Sequence, residues 1–133
     1  MNLDTLAERL PDSIDGVLIE SPENRLYFTG FHSSAGVLLI AKAGRIFLTD
    51  SRYLEAARDA VEDCEVRQVR RYEDELPEAV AALGCKTLAL ESARVTVARA
   101  RKFAQMLPEC ELFDDDTADR LINALRAVKS EDE

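Results

Sequence analysis

NRLYFTGFHSSAGVLLIAKAGRIFLTDSRY, residues 24–53, is the stretch whose reading decides the fold. Asn24 to Phe31 mixes polar and aromatic side chains and reaches a glycine where a short helix can end. Gly36 to Ala41 and Arg45 to Thr49 then follow as two apolar runs of strand character. Only Lys42-Ala43-Gly44 separates them, a hairpin-length connection with glycine at a position suited to positive φ. Towards its end comes Thr49-Asp50-Ser51-Arg52, which sets two charged residues at the end of an expected strand.

Outward from this hairpin, strand-like runs alternate with segments of helical period. Asn2 to Leu10 places Leu3, Leu6, Ala7 and Leu10 on one helical face, and Pro11 stops it. Asp15 to Glu20 is a compact strand. Ser21-Pro22-Glu23-Asn24 then supplies an N-cap, a first-turn proline and an early acid for a helix ending near Gly30. Ser51 is placed to cap a helix through Val61. The expected order continues with a strand at Glu65 to Val69 and a helix at Glu75 to Leu83, with Pro77 in its first turn and Gly84 as its cap. A strand at Lys86 to Leu90, a helix at Thr96 to Leu107 and a short strand at Glu111 to Phe113 come next. Asp114-Asp115-Asp116-Thr117 opens the last helix, with Leu121, Ile122, Leu125 and Val128 inward. The three aspartates invite a metal-site reading, but carboxylates at a helix start also complement the macrodipole and supply a cap. The pattern predicts a three-layer α/β/α sandwich whose sheet is mixed because of the hairpin.

A chain of 133 residues fits one domain. The longest apolar run, Gly36 to Ala41, is far below the ~18–20 residues of a membrane-spanning helix. Met1 to Leu10 carries Asp4, Glu8 and Arg9, which is not the order of a signal peptide, so a cytoplasmic protein is expected. A net charge of −9 repels phosphate backbones. The arginines at 67, 70, 71, 94, 99 and 101 are interleaved with acids and lack a stacking pattern, which reads as a solvated face and not a nucleic-acid site. Cys64, Cys85 and Cys110 are odd in number, form no CxxC pair and read as small buried or half-buried residues at strand entrances.

His32, the single histidine, lies in the loop Phe31-His32-Ser33-Ser34-Ala35-Gly36. With Ser33, Ser34 and Asp50 it supplies the residue types of a nucleophilic triad. A triad is a matter of geometry, however, and the Gly-x-Ser-x-Gly elbow is absent. A hydrolytic metal site needs roughly three to five convergent histidine and carboxylate ligands, more than one histidine and scattered acids provide. Asp50 and Arg52 sit where α/β sheets present functional groups. Equally, Asp50 can cap the following helix while Arg52 pairs with a nearby acid. On these residues the chain is expected to lack a complete active site.

Asn24-Arg25-Leu26-Tyr27-Phe28-Thr29-Gly30-Phe31 resembles the N-x-x-Y-[LF]-T-G-[FY] signature in the N-terminal domain of the creatinase/prolidase family. Leu48-Thr49-Asp50-Ser51-Arg52-Tyr53 is similar to the family's L-T-D-x-R-Y pattern. Leu125 to Glu133, LRAVKSEDE, resembles its L-R-x-x-K-[ST]-x-x-E linker into the catalytic domain. The likeness covers almost the whole chain in order.

This resemblance implies a domain at residues 1–128 with a mixed sheet and a ribonuclease-H-like motif, followed by the start of a linker at 129–133. It implies a metal-dependent Xaa-Pro dipeptidase or aminopeptidase as the parent. Two divalent metals (Mn, Co or Zn) would lie in an absent C-terminal catalytic domain, with none in this fragment. The N-terminal domain would support a homodimer and shape the entrance of the active site. Arg52 is the first candidate for touching a peptide substrate, with Tyr27, Phe31 and His32 as lesser ones. Asn24, Thr29, Gly30 and Asp50 read as structural parts of the signature. The alternatives are a stand-alone binding module of the same fold, the N-domain of a creatine amidinohydrolase-like hydrolase and, more distantly, a ribonuclease-H-like nuclease.

Overall fold

The computed structural model describes residues 2–127. Val128 of the expected last helix and the expected linker at 129–133 lie outside the described residues. The elements run α1 (Asn2–Arg9), β1 (Gly16–Ile19), α2 (Pro22–Thr29), β2 (Val37–Ala41), β3 (Arg45–Thr49), α3 (Leu54–Ala60), β4 (Glu65–Gln68), α4 (Tyr72–Ala82), β5 (Thr87–Leu90), α5 (Val97–Met106), β6 (Glu111–Phe113) and α6 (Thr117–Ala127).

The six strands lie in the order β4-β3-β2-β1-β5-β6. β2 pairs antiparallel with both β1 and β3, while β1–β5, β3–β4 and β5–β6 are parallel. A single reversed strand therefore makes the sheet mixed, as the hairpin requires. β1 and β2 are buried at every position, the mark of a sheet covered on both faces.

The pleat sorts the core into two layers. Val17, Ile19, Leu38, Ile40 and Phe47 pack with residues of α1, α2, α3 and α6. Leu18, Leu39, Ile46, Leu48 and Leu90 pack with α4 and α5. This is the three-layer α/β/α arrangement expected from the sequence.

Local chemistry explains the ends of α2. Ser21 caps it by accepting from the Asn24 N–H at 3.4 Å, and Pro22 fills the first turn. Gly30 closes it in the left-handed region at φ 69°, donating to the Leu26 carbonyl at 2.8 Å. Gly44 differs from expectation, since it is not among the positive-φ glycines. A Cβ there would meet the Leu83 Cδ2 methyl at 2.9 Å, a contact that the half-buried leucine side chain can relieve by moving.

Two helices begin elsewhere than the sequence pattern places them. α3 starts at Leu54 with no side-chain cap bond, because the expected cap region is an Asp50-Ser51-Arg52 turn in which Asp50 accepts from the Arg52 N–H at 2.9 Å. α4 starts at Tyr72 rather than Glu75, because the Glu75 carboxylate reaches back to the N–H groups of Arg70 and Arg71 at 2.5 and 2.9 Å. Pro77 consequently sits inside the helix, without an N–H for the Glu73 carbonyl.

Candidate functional site

The carboxyl ends of β1, β3 and β5 and the amino end of β2 share one edge of the sheet. Such edges present side chains from loops on a rigid base. Arg52 leaves β3 here with its side chain 67% exposed. Asp50 holds it from one side, accepting from Nη2 at 2.8 Å and from Nε at 3.3 Å. That contact occupies the Nε/Nη2 edge of the guanidinium fork and leaves its end-on edge available for a second planar anion. The hydrogen bond from Arg52 holds the Asp50 carboxyl below its ordinary value, and the same bond raises the guanidinium.

Tyr53 joins the neighbouring groups to this corner. Its ring lies 5.2 Å under the Arg52 guanidinium and meets Phe31 edge-on at 6.2 Å. Its hydroxyl is 2.8 Å from Ser34 Oγ and accepts from the Ser34 N–H at 3.4 Å. Those two bonds, the side-chain one first, draw the phenol below its usual value.

Beside this corner a cleft of about 730 Å³ opens where β1 and β5 end. Ser34 belongs to its wall, along with Glu20, Arg25, Glu91, Arg94 and Arg99. Two ion pairs cross from the β1–α2 side to the α5 side, Arg99–Glu20 at 2.5 Å and Arg94–Glu23 at 3.1 Å. The acids and bases balance, so the cleft holds no surplus charge to select an anion.

Behind the cleft lies Glu91, which is only 3% exposed. It accepts from the Glu20 N–H at 2.6 Å, the Ser21 N–H at 2.9 Å, Ser21 Oγ at 2.5 Å and Asn24 Nδ2 at 2.7 Å. Four donors on one carboxylate meet the condition for burying its charge. Arg25 is equally buried, donating to the Glu20 carbonyl at 3.0 Å and to Ser33 Oγ at 2.8 Å. Burial draws its guanidinium below the usual arginine value. Sequence reasoning assigned no role to Glu91 or Arg25. A glutamate ending an otherwise apolar strand was the available signal in both Ile19-Glu20 and Leu90-Glu91.

The structure brings together Arg52 and Phe31, through Tyr53. Tyr27 goes elsewhere, its hydroxyl donating to the Leu125 carbonyl at 3.2 Å. His32 is exposed on the intervening loop. The residue types of a Ser-His-Asp triad do not form one: Ser33 accepts from Arg25, Ser34 bonds Tyr53 and Asp50 bonds Arg52. Burial pushes the Cys64 thiol up to about 12 and the Cys85 thiol up to about 11, so neither offers a thiolate at neutral pH. Among the described residues no three His, Cys, Asp or Glu side chains are grouped to hold a metal ion, so these residues do not fit a metal centre. No helix among them is long and apolar enough to cross a membrane.

A family model described as Creatinase/Prolidase N-terminal domain matches residues 3–128. YqhT of Bacillus subtilis (strain 168), described as an uncharacterized peptidase, is 31% identical over 90% of this chain and 33% of its own length. An Xaa-Pro dipeptidase from Bacillus anthracis has a similar structure, with TM-score 0.88 and 27% identity over 99% of this chain and 37% of that one. The N-terminal domain of the cytoplasmic peptidase PepQ from Mycobacterium tuberculosis H37Rv has TM-score 0.76 at 29% identity, over 90% of this chain and 97% of that one. The chain thus spans about a third of the B. subtilis and B. anthracis proteins but nearly all of the separately solved N-terminal domain.

Proposed function

The chain belongs to the creatinase/prolidase N-terminal domain family, and from that premise we propose that it is the accessory domain of a cytoplasmic, metal-dependent Xaa-Pro dipeptidase or aminopeptidase. It contributes to a homodimer and to the wall of the active site, and it is not catalytic alone. The observation that carries this reading is the Arg52 corner: a cation oriented by Asp50, whose second planar edge meets no anion among the described residues, beside aromatic rings.

The chemistry of that corner follows from its geometry. Asp50 restricts the rotamers of Arg52 before any substrate arrives, which lowers the ordering cost of binding. The open edge of the guanidinium takes the C-terminal carboxylate of a short peptide through paired N–H bonds. Phe31 and Tyr53 supply apolar surface that strengthens this contact by excluding water. His32 lies on the loop that borders this wall. Cleavage, and the manganese, cobalt or zinc pair it requires, is assigned to the catalytic domain of the parent.

Reading the coding sequence beyond Glu133 tests the assignment. We expect a further domain carrying clustered carboxylates and a histidine at metal-ligand spacing. A stop codon directly after Glu133 would contradict it and favour a stand-alone module.

A further inference from the structure

Asn24 and Tyr27 lie three residues apart on α2, so they share one helical face. Both engage the last turn of α6. Asn24 Oδ1 accepts from Arg126 Nη1 at 2.8 Å, and the Tyr27 hydroxyl donates to the Leu125 carbonyl at 3.2 Å. The Arg126 guanidinium also lies over the Tyr27 ring, 5.7 Å from its centroid. Residues about a hundred positions apart thus meet at one point, through three distinct contacts.

Asn24 cannot turn its amide over without losing both partners. Its Nδ2 donates to Glu91 Oε2 at 2.7 Å while its Oδ1 faces Arg126, and the side chain is only 2% exposed. Glu91 is itself fixed by the backbone of Glu20 and Ser21. A continuous line of hydrogen bonds therefore runs from the end of β5, through Asn24, to the end of α6. The Arg52 corner, at the end of β3, and this line to α6, which starts at the ends of β1 and β5, stand on the same edge of the sheet.

We propose that Asn24 and Tyr27 are positioning residues, a clamp that fixes the direction of the last turn of α6, from which the chain continues. This rests on the accessory-domain reading: an arginine carried by one domain serves a site in the next only if the orientation between them is held. A shift of about 1 Å is enough to misplace such a contact. Neither residue needs to touch substrate in this role.

Tyr27→Phe tests the clamp with little risk to folding, since it removes a single hydroxyl. Arg126→Ala removes a half-buried cation and leaves the buried Asn24 Oδ1 without this partner, so the two variants are read together. In the 133-residue chain, amide hydrogen exchange at residues 123–127 is expected to accelerate on the order of tenfold in each variant, with β1 and β5 unchanged. In the full-length protein, each is expected to raise KM for an Xaa-Pro dipeptide roughly fivefold while kcat stays within about twofold, the split expected when an oriented binding group is displaced. Arg126→Lys, which keeps a cation at this position, should recover part of the loss. Unchanged exchange at the end of α6 in both variants would overturn the clamp. Faster exchange with an unaltered KM would overturn its positioning role. If the unsubstituted full-length protein fails to cleave Xaa-Pro dipeptides, the peptidase reading fails, while the exchange experiment still decides the clamp.

Discussion

Glu91→Ala is expected to destabilise the domain by about 4 kcal/mol and to lower its melting temperature by roughly 12 °C. No metal, ligand or partner is needed for this effect. The carboxylate is 3% exposed and accepts from two backbone N–H groups, one hydroxyl and one amide. Truncation strands those donors where water has little access, and each buried unsatisfied group costs about 1–3 kcal/mol. Partial rehydration of the space left by the side chain keeps the total at the lower end of the summed range. The loss also frees Ser21 and Asn24, so the start of α2 should loosen with it. Urea unfolding with an unchanged m-value would report the loss as a shift in midpoint. A change below about 1 kcal/mol would mean that Glu91 is not the keystone of this edge.

Arg52→Ala in the full-length enzyme is expected to lower kcat/KM for Xaa-Pro dipeptides on the order of 10- to 100-fold, the range of a hydrogen bond to a charged group. Most of the change should appear in KM, because the guanidinium holds the same carboxylate before and during cleavage. Folding should be nearly untouched. The side chain is 67% exposed, and its ion pair with Asp50 lies at the surface where such pairs contribute little. Metal content should also remain intact, since Arg52 cannot ligate a cation. Arg52→Lys restores the charge but not the planar fork and should recover only part of the activity. Unaltered kinetics in Arg52→Ala would return the residue to a purely structural role as the partner of Asp50.

Much of the fold was legible because local and long-range signals agreed. Ser21-Pro22 and Gly30 delimited α2, and the Lys42-Ala43-Gly44 connection gave the reversed strand that makes the sheet mixed. The helix starts that departed from expectation depend on side chains bonding backward. Glu75 begins α4 early by reaching Arg70 and Arg71, and the Asp50 turn displaces the cap of α3. Neither bond has a spacing signature as strong as a serine cap followed by proline.

The site was legible only in part. Phe31 and Arg52 emerged from motif residues, whereas Tyr53, which links them, read as the end of a pattern. Glu91 was obscure for a physical reason. Val17-Leu18-Ile19-Glu20-Ser21 and Leu88-Ala89-Leu90-Glu91-Ser92 end alike, yet β1 and β5 pair with Leu18 opposite Leu90, so the two glutamates fall one residue out of step. On a pleated sheet that offset sends them to opposite faces. Glu20 meets Arg99 of α5, while Glu91 meets Asn24 of α2. Register decides their roles, and register is a property of the paired strands. Tyr27 illustrates the same limit, since its partner at Leu125 is 98 residues away.

The most direct test of the division of labour is an assay of the purified 133-residue chain on Xaa-Pro dipeptides, with and without added manganese. The account predicts no hydrolysis above buffer in either condition from folded protein. Sustained turnover by this chain alone would contradict it.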